Sequence, residues 1–221
     1  MTYRVRVEAA EGATHDTRRL VLERPSGYRF EPGQAAEIAL DKDDWREEAR
    51  PFSFTSLEED TYLEFVVKIY GSHEGVTKQL GKLAPGSRLL ISEPFGTISY
   101  RGEGYFIAGG AGITPFMSIL RRLHRDGRLG NNKLLYSNRT ERDIILKTEL
   151  DSMLGANVVY NLTHEPNATF HNGLIDARYL RVHAPDISRT FNVCGPDEMV
   201  RDIRDILQHL GADVQSLVFE K

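Results

Sequence analysis

A single cysteine, Cys194, stands in 221 residues. This scarcity excludes an internal disulfide, and also a zinc site or iron–sulfur cluster ligated by several cysteines of this chain. Electrons that pass through such a protein are expected to travel on an organic cofactor. Long apolar runs are missing too. None approaches the roughly 20 residues of a membrane-spanning helix, and the opening Met1-Thr2-Tyr3-Arg4-Val5-Arg6-Val7 lacks the apolar core of a signal peptide. The expectation is a cytoplasmic protein without membrane insertion. Basic runs are absent as well: 28 Lys and Arg against 32 Asp and Glu leave a net charge of −4, so nucleic acid is not an expected partner. There is no internal repeat, low-complexity segment or long linker. The remainder, 40% hydrophobic and 27% charged, is ordinary for a globular chain of one large or two compact domains.

What is present divides in two. Residues 1 to about 100 carry short β-prone segments at hairpin spacing: Tyr3–Ala9, Thr17–Glu23, Ala35–Leu40, Phe52–Ser56, Tyr62–Tyr70 and Arg88–Glu93. Turns at Pro25-Ser26-Gly27, Pro32-Gly33-Gln34 and Pro85-Gly86 separate them, which predicts an antiparallel barrel or sandwich. Gly75–Leu83 interrupts this pattern with apolar residues at 76, 80 and 83, a helical spacing. After Tyr100-Arg101-Gly102-Glu103-Gly104 the pattern changes. Strand-like runs at Tyr105–Ala108, Lys133–Ser137, Val158–Leu162, Thr190–Cys194 and Val214–Phe219 alternate with helical stretches at Pro115–Arg125, Ile144–Leu154, Leu174–Val182 and Glu198–Leu210. Five strands with four crossovers predict a parallel α/β sheet, which binds ligands at the carboxyl ends of its strands.

Three stretches carry candidate chemistry. In Arg50-Pro51-Phe52-Ser53-Phe54-Thr55, Pro51 biases Arg50 toward extended geometry, and Arg50 and Phe52 then share a strand face about 6–7 Å apart. A guanidinium fork suits a pyrophosphate and the ring suits a heterocycle, although a plain strand with a solvated arginine has the same pattern. Gly75-Val76-Thr77 opens the interrupting helix and offers free amides to an anion, or simply caps a barrel-closing helix. Gly109-Gly110-Ala111-Gly112-Ile113-Thr114-Pro115 ends the first parallel strand and leads into a helix. It departs from the G-x-G-x-x-G fingerprint, yet its order of strand, glycine turn and helix favours a nucleotide over a purely structural turn. Cys194-Gly195-Pro196 ends the fourth parallel strand at the same sheet edge; a buried small hydrophobe is the other reading of Cys194. Ser137-Asn138-Arg139 ends the second, where Ser137 and Arg139 suit a ribose phosphate, or Arg139 and Arg142 are solvated loop charges.

These motifs, with Pro32-Gly33-Gln34 and Glu93-Pro94-Phe95-Gly96, run in one order along nearly the whole chain, which therefore resembles the ferredoxin–NADP reductase family of flavoproteins. The resemblance implies Arg50 on the FAD pyrophosphate with Pro51 beside it, Phe52 against the isoalloxazine and Ser53 near the hydride-accepting nitrogen. It implies Gly75, Val76 and Thr77 on the pyrophosphate, and Lys68, Tyr70 and Glu220 as further cofactor-binding residues. Gly109, Gly110, Gly112 and Thr114 would meet NADPH or NADH, with Cys194, Gly195 and Pro196 beside the nicotinamide and Ser137 and Arg139 favouring the 2′-phosphate of NADPH. Ser53, Thr114 and Cys194 form the expected hydride-transfer set, and no metal is expected.

Three departures stand out. The usual tyrosine of the first motif is Phe52, which keeps the stacking ring and loses a hydroxyl hydrogen bond. The chain closes on Phe219-Glu220-Lys221 rather than on a terminal aromatic. No iron–sulfur domain is fused to either end, so the acceptor is expected to be separate: a ferredoxin, a flavodoxin, an oxygenase partner or a small molecule. The resulting expectation is a monomer or weak dimer with a β-barrel FAD domain at 1–101 and a nucleotide-binding domain at 102–221. Hydride would pass between rings held face to face. The alternatives are a reductase of free flavin, which Arg50 and the Gly75 helix argue against, and a non-catalytic electron-transfer subunit.

Overall fold

The computed structural model describes residues 2–71, 74–96, 98–166, 169–213 and 217–219, the last three by their backbone. It divides into two compact units, Met1–Ser99 with Thr114–Arg122, and Tyr100–Ile113 with Leu123–Lys221.

The first unit is an antiparallel sheet of β1 (Thr2–Thr14), β2 (Thr17–Glu23), β3 (Ala35–Leu40), β4 (Arg50–Ser53), β5 (Tyr62–Lys68) and β6 (Arg88–Ser92), in the order β4-β3-β6-β1-β2-β5. Alternation decides its inner face: Val5, Val7, Leu20, Leu22, Leu63, Phe65 and Val67 are all buried. Just past β4 the chain meets the far edge strand, with a bridge between Phe54 and Phe65 and a 2.9 Å hydrogen bond from Thr55 N–H to the Glu64 carbonyl. The sheet is thus barrel-like, its two edges joined at one short stretch rather than along a full ladder. Phe54 stacks on Phe30 at 4.1 Å and lies 4.9 Å from Phe65. Burying each such ring contributes about 1.5–3 kcal/mol, so this cluster outweighs surface ion pairs of ~0–1 kcal/mol in holding the closure.

Helix α1 (Val76–Leu80) buries Val76 and Leu80 against the barrel core. It is shorter than the expected Gly75–Leu83. Lys82 and Leu83 donate to Gln79 and Leu80 in three-residue turns, and Pro85 disfavours helical geometry at Ala84.

The second unit contains the parallel sheet of β7 (Gly104–Gly109), β8 (Lys133–Asn138), β9 (Val158–Leu162), β10 (His171–Asn172), β11 (Thr190–Cys194) and β12 (Leu217–Phe219). The order is β10-β9-β8-β7-β11-β12. The crossovers are α2 (Thr114–Arg125), α3 (Lys147–Leu154), α4 (Ala177–His183) and α5 (Asp197–His209). Five strands were expected, and β10 is the sixth: it pairs with β9 through His171 and Asn172, too few residues to show a period. α4 starts later than expected because Asp176 caps it, accepting from Tyr179 N–H at 2.7 Å. The chain runs β7 to β8 to β9 on one side and returns to place β11 on the other side of β7. That reversal is the topological switch point, where such sheets leave a crevice at the carboxyl ends of their strands. No described helix is long and apolar enough to cross a membrane.

Candidate functional site

In the first unit, β4 pairs with β3 through Ile38–Arg50, Glu37–Pro51, Ala36–Phe52 and Ala35–Ser53. Strand alternation puts Arg50 and Phe52 on one face. Phe52 is half-buried against the barrel core, Ser53 is buried, and Arg50 and Pro51 are exposed. The Arg50 guanidinium is held locally: it pairs with Glu48 at 3.1 Å and donates to its neighbour's carbonyl, Ala49 O, at 2.7 Å. Lys68 closes β5 and forms a 2.6 Å ion pair with Asp16, while Tyr70 stands half exposed. At the head of α1, Gly75 is extended, and among the described residues, its chain neighbours aside, nothing lies within 4 Å of where a Cβ would sit.

The second unit shows what each glycine of the turn does. A Cβ on Gly112 would lie 2.3 Å from the Cys194 carbonyl oxygen, and one on Gly109 would lie 2.4 Å from Met199 Sδ. Gly195 in turn faces the Gly109 backbone at 3.1 Å. These three glycines let the turns after β7 and β11 pack backbone to backbone. Gly110 differs: its φ is +52°, a left-handed conformation suited to glycine, and among the described residues nothing beyond its chain neighbours lies within 4 Å of its missing Cβ. Beneath it, the buried Tyr136 hydroxyl donates to the Gly110 carbonyl at 2.9 Å, and burial pushes that phenol well above its ordinary value. The structure thus brings Gly109, Gly112, Cys194 and Gly195 together at the switch point. Ser137 joins them as the ladder neighbour of Gly109, and its hydroxyl accepts from Asn161 at 3.1 Å. Cys194 is buried and Pro196 exposed at the start of α5. Arg139 is exposed two residues beyond Ser137, and Glu220 lies outside the described residues. A cavity of about 490 Å³ bounded by Val158, Val159, Tyr160, Phe170 and His183 lies along the amino-terminal half of β9, not at the strand ends.

Sequence reading missed a densely tied group of the first unit. Glu64 alternates with Leu63 and Phe65 as if on a solvent face, yet it is 1% exposed. Its carboxylate receives Arg19 at 2.6 Å, Arg121 at 2.6 Å and the Thr55 hydroxyl at 2.8 Å. Burial pushes the Glu64 carboxyl up, but Arg121, Thr55 and Arg19 outweigh it and hold it below its ordinary value. A depressed carboxyl contributes stability that is complete above its unfolded value and is lost as pH falls through the folded one. The melting temperature should therefore hold from neutrality down to about pH 4.5, the ordinary glutamate value, and drop below it, with a shallower drop in Glu64→Gln. A melting temperature that rises on acidification would show that Glu64 is not held charged.

The comparisons with known proteins bear on both units. The family model described as an oxidoreductase FAD-binding domain matches residues 4–100, and the one described as an oxidoreductase NAD-binding domain matches residues 106–205. NADH-cytochrome b5 reductase 1 of Eremothecium gossypii is 32% identical over 195 residues, covering 80% of this chain and 68% of the relative. The chain belongs to the ferredoxin–NADP reductase family. Other family relatives are far longer: the chain is 32% identical to Nitrate reductase [NADH] 1 of Nicotiana tabacum over 200 residues, which is 22% of that protein. A ferredoxin NADP+ reductase from Neisseria gonorrhoeae, solved with FAD and NADP, shares the fold at a TM-score of 0.86 with 20% identity, covering 99% of this chain and 98% of that one. As a member of this family the chain is an oxidoreductase that uses FAD and a nicotinamide nucleotide. Its residues fit both groups: Gly75 and Gly110 leave open the space a side chain would fill, and Arg50 and Phe52 share one face.

Proposed function

We propose that this protein is an FAD-containing reductase that takes reducing equivalents from NADH or NADPH and passes them to a separate acceptor. The observation that carries this reading is Gly110, left-handed and open at the strand-order switch, among glycines that are otherwise close-packed. Residues 1–101 form the flavin domain and residues 102–221 the nucleotide domain in this reading. Bound FAD would supply the redox chemistry, accepting a hydride from the nicotinamide and releasing electrons onward.

The side chains bind and orient. Arg50 is assigned to the pyrophosphate, where its planar fork makes charge-assisted hydrogen bonds. Val76 and Thr77 lend first-turn amides that no carbonyl of a helix can accept, and Gly75 leaves room for the phosphate to reach them. Phe52 supports the flavin ring, while Lys68 and Tyr70 flank the cofactor. Gly110 admits the nucleotide to the backbone, and Ser137 and Arg139 decide between a 2′-phosphate and a 2′-hydroxyl. Ser53, Thr114 and Cys194 tune distance and polarity at the reacting atoms rather than act as acids or bases, because hydride moves between two cofactors without a side-chain proton. The acceptor we favour is a one-electron protein such as a ferredoxin, a flavodoxin, cytochrome b5 or an oxygenase component. Heat release of the pigment followed by chromatography tests the assignment. One FAD per chain is the expected result; FMN, or a colourless protein that does not take up FAD, would contradict it, and the colourless outcome would favour the reading as a reductase of free flavin.

A further inference from the structure

Helix α2 opens on Thr114, and residues Thr114–Arg122 group with the first unit. Two residues on the stripe that begins at Thr114 show how. Thr114, Ser118 and Arg121 stand at i, i+4 and i+7, one stripe of the helix. Ser118, fully buried, accepts from Gly33 N–H at 3.0 Å. One nitrogen of Arg121, Nη1, donates both to the Thr55 carbonyl at 2.5 Å and to the Glu64 carboxylate at 2.6 Å. Glu64 ties in Arg19 of β2 and the Thr55 hydroxyl on the same two oxygens, and Ser56 Oγ accepts from Glu64 N–H at 3.0 Å.

Thr55 lies two residues past Ser53, about 6–7 Å along an extended chain. Thr114 lies seven residues before Arg121, about 10 Å along the helix. The charge cluster is therefore a short rigid link between the two side chains of the first unit that the proposed function puts at the reacting atoms. A purely apolar contact of this size would hold the helix on the barrel but leave its axial position soft. Hydrogen bonds to one carboxylate and one carbonyl fix direction and distance.

We propose that Arg121 and Glu64 are positioning residues: they lock α2 onto the Arg50–Thr55 segment and thereby set where Thr114 stands relative to Ser53, and with it the rate of flavin reduction. The proposal rests on the oxidoreductase reading above. Neither residue touches the reacting atoms.

Arg121→Met, Arg121→Lys and Glu64→Gln, each loaded with FAD, test it against Leu22→Ala, a barrel-core truncation, and Arg122→Gln, which removes the partner of Glu58 and Glu59 on the same helix. The readouts are melting temperature, FAD content, the limiting rate and half-saturating NADH of anaerobic flavin reduction, and the long-wavelength charge-transfer band that reports stacking of nicotinamide on flavin. Arg121→Met should slow the limiting rate about 5- to 30-fold, or about 1–2 kcal/mol of barrier, and weaken the charge-transfer band. Its FAD content should stay unchanged and its half-saturating NADH within about threefold. Lysine, which can also present one nitrogen to both acceptors, should restore most of the rate. Glu64→Gln, which preserves shape, should slow reduction in the same direction and keeps the test intact should Arg121→Met fold poorly. Leu22→Ala should lower the melting temperature with wild-type reduction, and Arg122→Gln should change neither. A cluster that serves stability alone would show Arg121→Met and Glu64→Gln melting early while reducing flavin at the wild-type rate with a normal band, and that would overturn the proposal. A wild-type protein that bound no FAD would instead overturn the functional reading and the positioning role with it.

Discussion

Gly112→Ala is expected to lower the unfolding free energy by about 3 kcal/mol or more and to abolish measurable nicotinamide binding, while the flavin unit keeps its cofactor. The added methyl would lie 2.3 Å from the Cys194 carbonyl oxygen and 2.5 Å from its carbon. Both are backbone atoms at the end of β11 that cannot rotate away, so the strand end itself must move. Overpacking against movable side chains costs about 1–3 kcal/mol, and a clash with fixed backbone belongs at or above the top of that range. Gly110→Ala makes the informative contrast. Its φ of +52° strains an alanine, but among the described residues nothing beyond its chain neighbours lies within 4 Å of the new methyl. Left-handed geometry costs roughly 1–2 kcal/mol per residue, so Gly110→Ala should remain folded. The methyl would then occupy the space left for the nucleotide and weaken its binding. Denaturant unfolding of the two variants, with NADH titration of each, separates the roles. A Gly112→Ala protein as stable as wild type would contradict the close packing of the two turns.

Arg50→Ala should weaken FAD retention about 10- to 150-fold, the range that corresponds to losing a charge-assisted phosphate contact of about 1.5–3 kcal/mol. The protein without ligand should scarcely notice the change. Arg50 and Glu48 are both more than half exposed in their 3.1 Å pair, and surface pairs of this kind contribute ~0–1 kcal/mol. Such a partner is easily exchanged for a pyrophosphate. Glu48→Gln, which frees the guanidinium, should leave affinity equal or slightly higher. Flavin titration of the three proteins, with melting curves of their apo forms, checks both halves of the expectation. Unchanged affinity in Arg50→Ala would demote the arginine to a surface charge.

The two-unit plan was legible because strong patterns wrote it. Short β-prone segments separated by turns before residue 100, and apolar runs alternating with helical stretches after Gly104, survive any local error in boundaries. The failures have separate physical causes. β10 has two residues and no period to read. The helix expected from Ile144 begins at Lys147, because Leu146 takes a left-handed φ of 55° and breaks the run. In the site, the sequence names the glycines but cannot tell a glycine left open from one packed against another part of the chain. That distinction belongs to tertiary packing, and it separates Gly110 from Gly109, Gly112 and Gly195. Glu64 was hidden for a related reason: β5 alternates as a strand with one wet face, and the arginine that turns that face into an interior, Arg121, lies 57 residues further along the chain.

The absorbance spectrum of the purified protein, recorded before and after anaerobic addition of NADH or NADPH, tests the central claim most directly. The account predicts the paired visible bands of oxidised, protein-bound flavin, bleached stoichiometrically by the nucleotide and restored by a one-electron acceptor. A protein with no visible bands after incubation with FAD, or one whose flavin bands persist under excess of both nucleotides, would contradict it.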